Sequence, residues 1–526
     1  MREHTGIAVF IIGFMICIGI NSNHTQKLHN TKLKRDKEKY TMHKENIKKI
    51  AIALTISEND ITYEDQYKSY TIDEKEEIII NDKFSDIQID IPIKFYKCHI
   101  KFNSNFFKKD INISLEFYKC KFINTNTILC NFNKKIYFKE CEFLISEDKL
   151  KDINEICISS KFLHGVDFSD TKFNHSINFA NSAFYNNTNF RNTKFESSAN
   201  FKYSKFNGTI DFSNTIFKDN VYFNNSIFQD FADFHECEFE KTANFYGVKF
   251  DKVPNFSQTQ FKGSLNVVNT NLDFDFESLK EKIKQESIKY KERKSVKKPL
   301  AHFANDFRDS FRIFKSTLIK DNNLLDASNF HKCELYCKEV ELDSKETKTQ
   351  KDTIDYWQLW FYRNLCDHHT DILKSFHSLM LVIGLFGLVS LGVIVGFDYC
   401  LGYKPILSHL YMIKEIYDAH IQSFIKTHTL YTFAFNIFIL AFYLVILVCL
   451  ISVKYLREVF IGVSYFIVIS ILLISPKILI PAMGIFTDKR VLLDPLSTLG
   501  GIYTIVFGFV LFSFIKTIRK NSIVPS

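Results

Sequence analysis

The sequence predicts a β-solenoid joined by an α-helical linker to an all-α transmembrane domain of about four helices. Three observations predict it. Phe recurs from residue 168 to 261 with gaps that alternate five and six, four apolar runs occupy most of residues 378–515, and a charged, helix-patterned stretch lies between them. A fixed short period means that one unit is stacked on itself. Apolar runs of roughly 17 to 24 residues are long enough to cross a ~30 Å hydrocarbon core as helices.

Taken in order, residues 6–20, GIAVFIIGFMICIGI, form an apolar segment. Roughly 15 residues matches a signal-peptide core or a short anchor, and a small-residue cleavage site is missing, so residues 1–25 read as a signal anchor or non-cleaved signal. Met42 offers a second start, from which that segment would be absent. Residues 26–75 are Lys-rich and polar and read as a linker. It leads into a capping element in which the EIII and IQID runs, between Glu77 and Asp90, have the look of strands.

The solenoid is assigned to residues 76–272, degenerate at first and regular from 166. FYKCHI, FYKCKF and FKECEF begin at Phe95, Phe117 and Phe138, at nearly equal intervals, and carry Cys98, Cys120 and Cys141 at one position. Downstream the ladder is Phe168, Phe173, Phe179, Phe184, Phe190, Phe195, Phe201, Phe206, Phe212, Phe217, Phe223, Phe228, Phe234, Phe239, Phe245, Phe250, Phe256 and Phe261. Two residues before the Phe usually stands a small or β-branched residue, such as Thr171, Ile177, Ser182 or Ala199. Residues two apart in an extended segment share a face, so this residue and the Phe both point into a core. Asn or Asp, with Tyr222 the one exception, precedes every second Phe, as at 178, 189, 200 and 211, where its side chain can bond the backbone of a corner. Four sides, each one five- or six-residue step, close a coil of about 22 residues, with coils stacked near 4.8 Å. A flattened two-sided coil of half that length is the alternative. The interval from Phe95 to Phe117, which equals four steps, favours four sides.

The units ANF at 199, TNF at 188, ADF at 232 and ANF at 243 resemble the A-[DN]-[LF]-x-x unit of the pentapeptide-repeat family. The resemblance covers 168–272 closely and 95–143 loosely. It departs from the plain pattern by one extra residue in every second unit. It implies a right-handed quadrilateral β-helix in a membrane-anchored bacterial member. Some members of that family mimic DNA with an acidic rod, but residues 166–272 hold 11 acidic and 10 basic side chains, which argues against any nucleic-acid role.

Residues 273–376 read as a helical linker. LKEKIKQESIKYKERKSVKKPL (279–300) is a basic helix, and Phe303, Phe307, Phe311 and Phe314 make one stripe of the first member of an αα-hairpin. His331, Cys333 and Cys337, and then Cys366, His368 and His369, supply metal-ligand chemistry within single helical turns, yet without the paired CxxC spacing of a zinc site. They stand as weak candidates, with no metal and no cofactor predicted. Trp357 and Trp360, beside Phe361 and Tyr362, mark an interfacial helix.

Residues 377–526 form the membrane domain, with spans near 378–397, 430–453, 459–480 and 499–515 and no buried acid or Arg in any span. Lys454, Arg457, Lys516, Arg519 and Lys520 favour the cytoplasmic side for the short loop and the tail. An even number of spans then puts the solenoid in the cytoplasm, which suits twelve Cys with no pairing pattern. The motifs of nucleotide binding, serine hydrolysis and zinc proteolysis are all missing. The sequence therefore predicts a non-catalytic, multi-pass protein of a bacterial inner membrane that presents its solenoid to an unknown protein partner. Lipids are its other partner, and homo-oligomers through the transmembrane helices are expected. The alternative is an oligomeric channel or sensor regulated by the solenoid.

Overall fold

The computed structural model describes residues 32, 34, 35, 37–102, 107–125, 127–150, 155–294, 298–403, 413–474 and 493–521. The apolar run at 6–20 lies outside them, as do Pro476, Lys477 and Pro481 of the third apolar run. The chain divides into two compact units, Met1–Ser278 and Leu279–Ser526.

Among the described residues the first unit is a solenoid with four ladders of nine, nine, six and eight strands, parallel except for the first strand of one nine-stranded ladder, or about nine turns. In the regular part each strand is two residues long and pairs with the equivalent strand of the next coil, as Val166 with Thr188, Lys172 with Lys194, Ile177 with Ala199 and Ala183 with Lys205. These four pairings follow one another along the chain before any ladder recurs, so four strands follow one another in each coil of the regular part. The FYKC copies stack in the same way, Phe95 on Phe117 and Phe117 on Phe138. One coil is longer: Phe143 pairs with Phe173, and the surplus between them contains the single turn Glu147–Lys149.

Every Phe of the ladder is buried except Phe261, which is partly exposed in the last coil. Rings at equivalent positions of successive coils stack with centroids 4.6–5.1 Å apart. Neighbouring columns meet edge to face, as Phe179 does with Phe190 and Phe201 with Phe212. Both geometries suit the aromatic quadrupole, and the interior is filled with carbon.

The corners divide the work between two residues. The Asn or Asp before every second Phe accepts from the backbone N–H two residues on, as Asn189 does from Arg191 and Asp211 from Ser213. Three residues later the backbone turns left-handed at Asp170, Asn181, Asn192, Tyr203, Asn214, Asn225, Glu236, Gly247, Gln258 and Asn269, once in every half coil. The next residue is buried, and in most coils its side chain donates to a carbonyl of the preceding coil, usually that of a Phe. Thr193, Ser204, Thr215, Ser226, Thr259 and Thr270 do so at 2.6–3.0 Å. Cys120, Cys141 and Cys237 place a thiol in the same role, which explains why Cys occupies one position in the FYKC copies.

The stretch read as a linker is largely structured. Residues 37–54 are helical (α1), and an antiparallel hairpin follows, Ile61–Glu64 with Ser69–Asp73. The last turn of α1 buries Ile50, Ala51, Ala53 and Leu54, and His43 stacks on Tyr63 and bonds the Tyr70 hydroxyl at 2.9 Å. The second hairpin strand pairs with Ile93–Tyr96, so this element covers the first coil. An uncovered terminal coil would expose both its core and its backbone edge. In the capping element Ile78–Ile80 is a strand, whereas IQID forms none.

In the second unit, α2 (Phe276–Lys294) precedes the αα-hairpin of α3 (Leu300–Lys320) and α4 (Leu324–Ser344). Phe307, Phe311 and Phe314 are the buried part of the predicted stripe, while Phe303 meets Tyr290 edge-on. The amphipathic α5 (Gln350–Cys366) follows, begun by a Thr349–Asp352 capping box. Next come α6 (Ile372–Cys400), α7 (Ile413–Thr427), α8 (Thr429–Ser452), α9 (Lys454–Ile474) and α10 (Pro495–Asn521). Among the described residues three segments, Ile372–Cys400, Thr429–Ser452 and Pro495–Arg519, are long and apolar enough to cross a membrane. The predicted third span, 459–480, is helical to Ile474, and its remainder lies outside the described residues.

Candidate functional site

The interior of the solenoid is closed by stacked Phe, and its outward ladders differ in chemistry. The ladder containing Lys172 and Lys194 is ionic: Lys172 lies between Glu142 and Glu196 at 3.9 and 4.0 Å, Lys218 reaches Glu196 at 2.7 Å, and Lys241 reaches Asp219 at 3.0 Å. Exposed pairs of this kind contribute little stability one by one. The next ladder is uncharged at its outward strand positions, Asn178, Asn200, Tyr222, Asn244 and Asn266. Tyr203 and Tyr246 stand in the corners beside it, both exposed, and Lys202 lies 4.6 Å over the Tyr222 ring. Fixed aromatic groups on an uncharged surface are what a protein interface uses as anchors. Sequence reading missed this face. Tyr222 replacing the usual Asn before Phe223 was the one visible signal.

The chemistry nominated in the sequence falls in the second unit, at the junction of α4, α5 and α6. His331 bonds Glu334, which also receives Arg312 and Lys315. Burial alone would raise the Glu334 carboxyl, but these three donors outweigh it and hold it at about 2. Cys333 and Cys337 are buried in α4, and burial pushes the Cys333 thiol up to about 12 and Cys337 well above its ordinary value. Neither is available as a thiolate at neutral pH.

Cys366 and His369 do meet, with Sγ 3.4 Å from Nδ1, and the same pair touches Ser513 and Thr517 of α10 at 3.3 Å. Burial raises the Cys366 thiol in spite of its hydroxyl neighbours. A neutral thiol beside an imidazole is a packing contact, since a nucleophile needs the thiolate. His368 turns the other way, against Tyr336, and burial lowers it to about 3. The six metal candidates are thus distributed over different contacts. Among the described residues no group of three or more His, Cys, Asp and Glu is placed to hold a metal ion.

What the junction provides is a held turn. Asp367, His368 and His369 are consecutive non-Gly residues in the left-handed region, with φ of 50, 54 and 66°. Strain of this type persists only where the surroundings over-determine it. Here Asp367 accepts from the Tyr336 hydroxyl and pairs with Lys332 at 3.4 Å. The carbonyl end of α5 is met by Lys374 at Arg363 O (2.9 Å), Arg457 at Asn364 O (2.8 Å) and Ser378 at Leu365 O (2.9 Å). Cations and donors at a helix C-terminus complement its dipole. Arg457, expected only as a topology signal, is therefore a structural lock. Behind it, Arg363 forms a two-pronged pair with the buried Glu339 at 2.9 and 3.0 Å.

Asp398, in the last turn of α6, is 2% exposed, and neither carboxylate oxygen has a hydrogen-bond partner among the described residues. The apolar run ends at residue 397, just short of it, which is why the hydropathy pattern left it out.

These features define a β-solenoid accompanied by a helical region with three helices able to cross a membrane. Within the solenoid, residues 190–238 match the family described as Pentapeptide repeats, in nine copies. Nine copies over that span give units averaging between five and six residues, as the alternating Phe gaps require. The chain has no match among the curated proteins and none among the solved structures.

Proposed function

We propose that this chain is a membrane-anchored scaffold that presents a rigid β-solenoid for protein–protein interaction and carries no catalytic activity of its own. The observation that carries the reading is the filled interior. A rod that spends its inward side chains on stacked Phe leaves only fixed outward ladders as working surface, and the Tyr203–Tyr222–Tyr246 face is the best suited of these to a protein partner.

In this reading the four ladders are the sides of a right-handed quadrilateral coil, and α9 is a fourth span. Arg457, at the start of α9, bonds the end of α5, whereas Leu493, just before α10, accepts from Asn436 near the start of α8. His369 meets Thr517 near the other end of α10. These contacts, at opposite ends of the helical bundle, support a crossing by α9. Four crossings place both ends of the helical unit on one side, the cytoplasmic face of a bacterial inner membrane, with oligomers formed through the spans. Purification of the full chain from its native membrane tests the scaffold. A co-purifying protein that is lost from the Tyr203→Ser, Tyr222→Ser, Tyr246→Ser triple variant supports it, and a partner set unchanged by that variant counts against it.

A second reading, an oligomeric channel or sensor regulated by the solenoid, has one observation in its favour. A buried Asp398 in a membrane helix, without a hydrogen-bond partner among the described residues, is the type of residue that lines an ion path. Ion flux from the reconstituted chain, abolished by Asp398→Asn, would favour it over the scaffold.

A further inference from the structure

The tip of the α3–α4 hairpin carries three large apolar side chains that its own fold does not use. Ile319, Leu324 and Leu325 are 48, 64 and 57% exposed, while Leu318, Ala327 and Phe330 close the hairpin core. The tip is built to stay in place. Asn322 is left-handed, the Asn323 side chain caps α4 by accepting from Asp326 N–H, and Asn323 N–H bonds Leu318 O at 2.8 Å.

Contacts along α4 place the tip. Lys345, just past its C-terminal end, pairs with Asp352 at the start of α5. Glu339 pairs with Arg363 near the end of α5, and Tyr336 bonds Asp367 in the turn. Asn329 and Lys332 then share an open cleft of roughly 500 Å³ with Asp367, Thr370, Asp371 and Ile372, the first residue of α6. Followed towards its N-terminus, α4 therefore runs alongside α5 to the point where the chain enters α6. Leu325 lies one turn beyond Asn329, about 6 Å further on. Ile372 and Leu373, on the first turn of α6, are exposed as well.

We propose that the α3–α4 tip enters the interfacial layer of the bilayer that α6 crosses, with Ile319, Leu324 and Leu325 among the acyl chains and Lys320 at headgroup level. The occupant is the lipid surface, because the tip continues the apolar entry of a membrane helix, and exposed apolar groups at that depth are covered by lipid without a further protein. Lys320, exposed at the end of α3, can extend its stem along the apolar layer and keep its amine at the phosphates. This rests on the reading of α6 as a span, and the experiment separates the two.

The full chain, with Cys400→Ser and Cys449→Ser to remove the exposed native thiols among the described residues, is labelled with an environment-sensitive fluorophore at one introduced Cys. It is then reconstituted in phosphatidylcholine–phosphatidylglycerol nanodiscs that contain nitroxide lipids. Three positions are compared: Leu325→Cys at the tip, Glu346→Cys past the opposite end of α4, and Leu391→Cys on the exposed side of α6. The proposal expects the label at 325 to be blue-shifted and quenched by shallow nitroxides, the label at 391 to be quenched by deep ones, and the label at 346 to stay solvent-like. If 391 is quenched while 325 matches 346, the tip proposal fails alone. A blue shift at 325 without lipid quenching overturns it in favour of a protein cover, and failure at 391 removes the span reading itself.

Discussion

Replacing Phe212 tests the inward assignment of the Phe ladder where it is most constrained. Its ring stacks between Phe190 and Phe234 at 5.0 and 5.1 Å, meets Phe201 and Phe223 edge-on at 5.6 Å each, and has no exposed surface. Phe212→Ala removes a fully buried aromatic and leaves a void bounded by rings that are themselves stacked, so little collapse can fill it. Such truncations cost about 3–5 kcal/mol. Phe212→Asp adds a carboxyl with no partner and should exceed this. Because each coil contacts only its neighbours, the loss should be local. Amide exchange in the full chain in detergent should accelerate in the coils holding Phe190, Phe212 and Phe234, while the coils near Phe95 stay protected. Lys218→Asp is the control: its side chain is 42% exposed and pairs with Glu196 on the surface, so exchange should hardly change. Equal acceleration from Phe212→Ala and Lys218→Asp would refute the inward assignment.

Three further outcomes follow from the same geometry. Val248 occupies the position where other coils donate a hydroxyl to a Phe carbonyl, so Val248→Thr should gain about 0.5–1.5 kcal/mol and Thr215→Val should lose at least as much, by chemical denaturation. Arg363→Met leaves the Glu339 carboxylate buried without its cation and should cost about 3–5 kcal/mol, most of it restored when Glu339→Leu is added, read by thermal unfolding in detergent. His368 is held neutral, with its pKa lowered to about 3 from 6.5, so the unfolded chain binds the extra proton and stability falls as pH drops below 6.5. Between about pH 7 and pH 5 the loss should be about 2 kcal/mol, and His368→Gln should flatten that slope.

The parts of this fold that were legible in sequence are those in which one side chain does one repeated job. The Phe columns, the small residue beside them, the Asn or Asp at alternate corners and the four strands of each coil all leave a period. What left no period stayed hidden. The left-handed corner recurs twice in every coil but accepts Tyr203, Glu236 and Gln258 as well as Asn, because backbone bonds to the next coil hold it whatever its side chain. The lengthened coil between Phe143 and Phe173 breaks the spacing with an insertion outside the ladders. Helix α1 looked like linker because its apolar contact is concentrated at residues 50–54 and most of the rest faces solvent as a Lys-rich surface. At the α5–α6 turn the residues were visible but their partners were not. Tyr336, Lys374, Arg457 and Thr517 are spread along the chain, and only the packed helices bring them to the Cys366–His369 turn.

The most direct test of a scaffold is to ask what touches the rod in the cell. A photo-crosslinking residue placed singly at Tyr203, Tyr222 and Tyr246, and on the ionic ladder at Lys194 and Lys218, in the full chain in its native membrane, reads each ladder separately. The account predicts one discrete protein adduct from the Tyr positions and little from the Lys positions. Crosslinks from none of these sites, with adducts arising instead from α6 or α8, would contradict it.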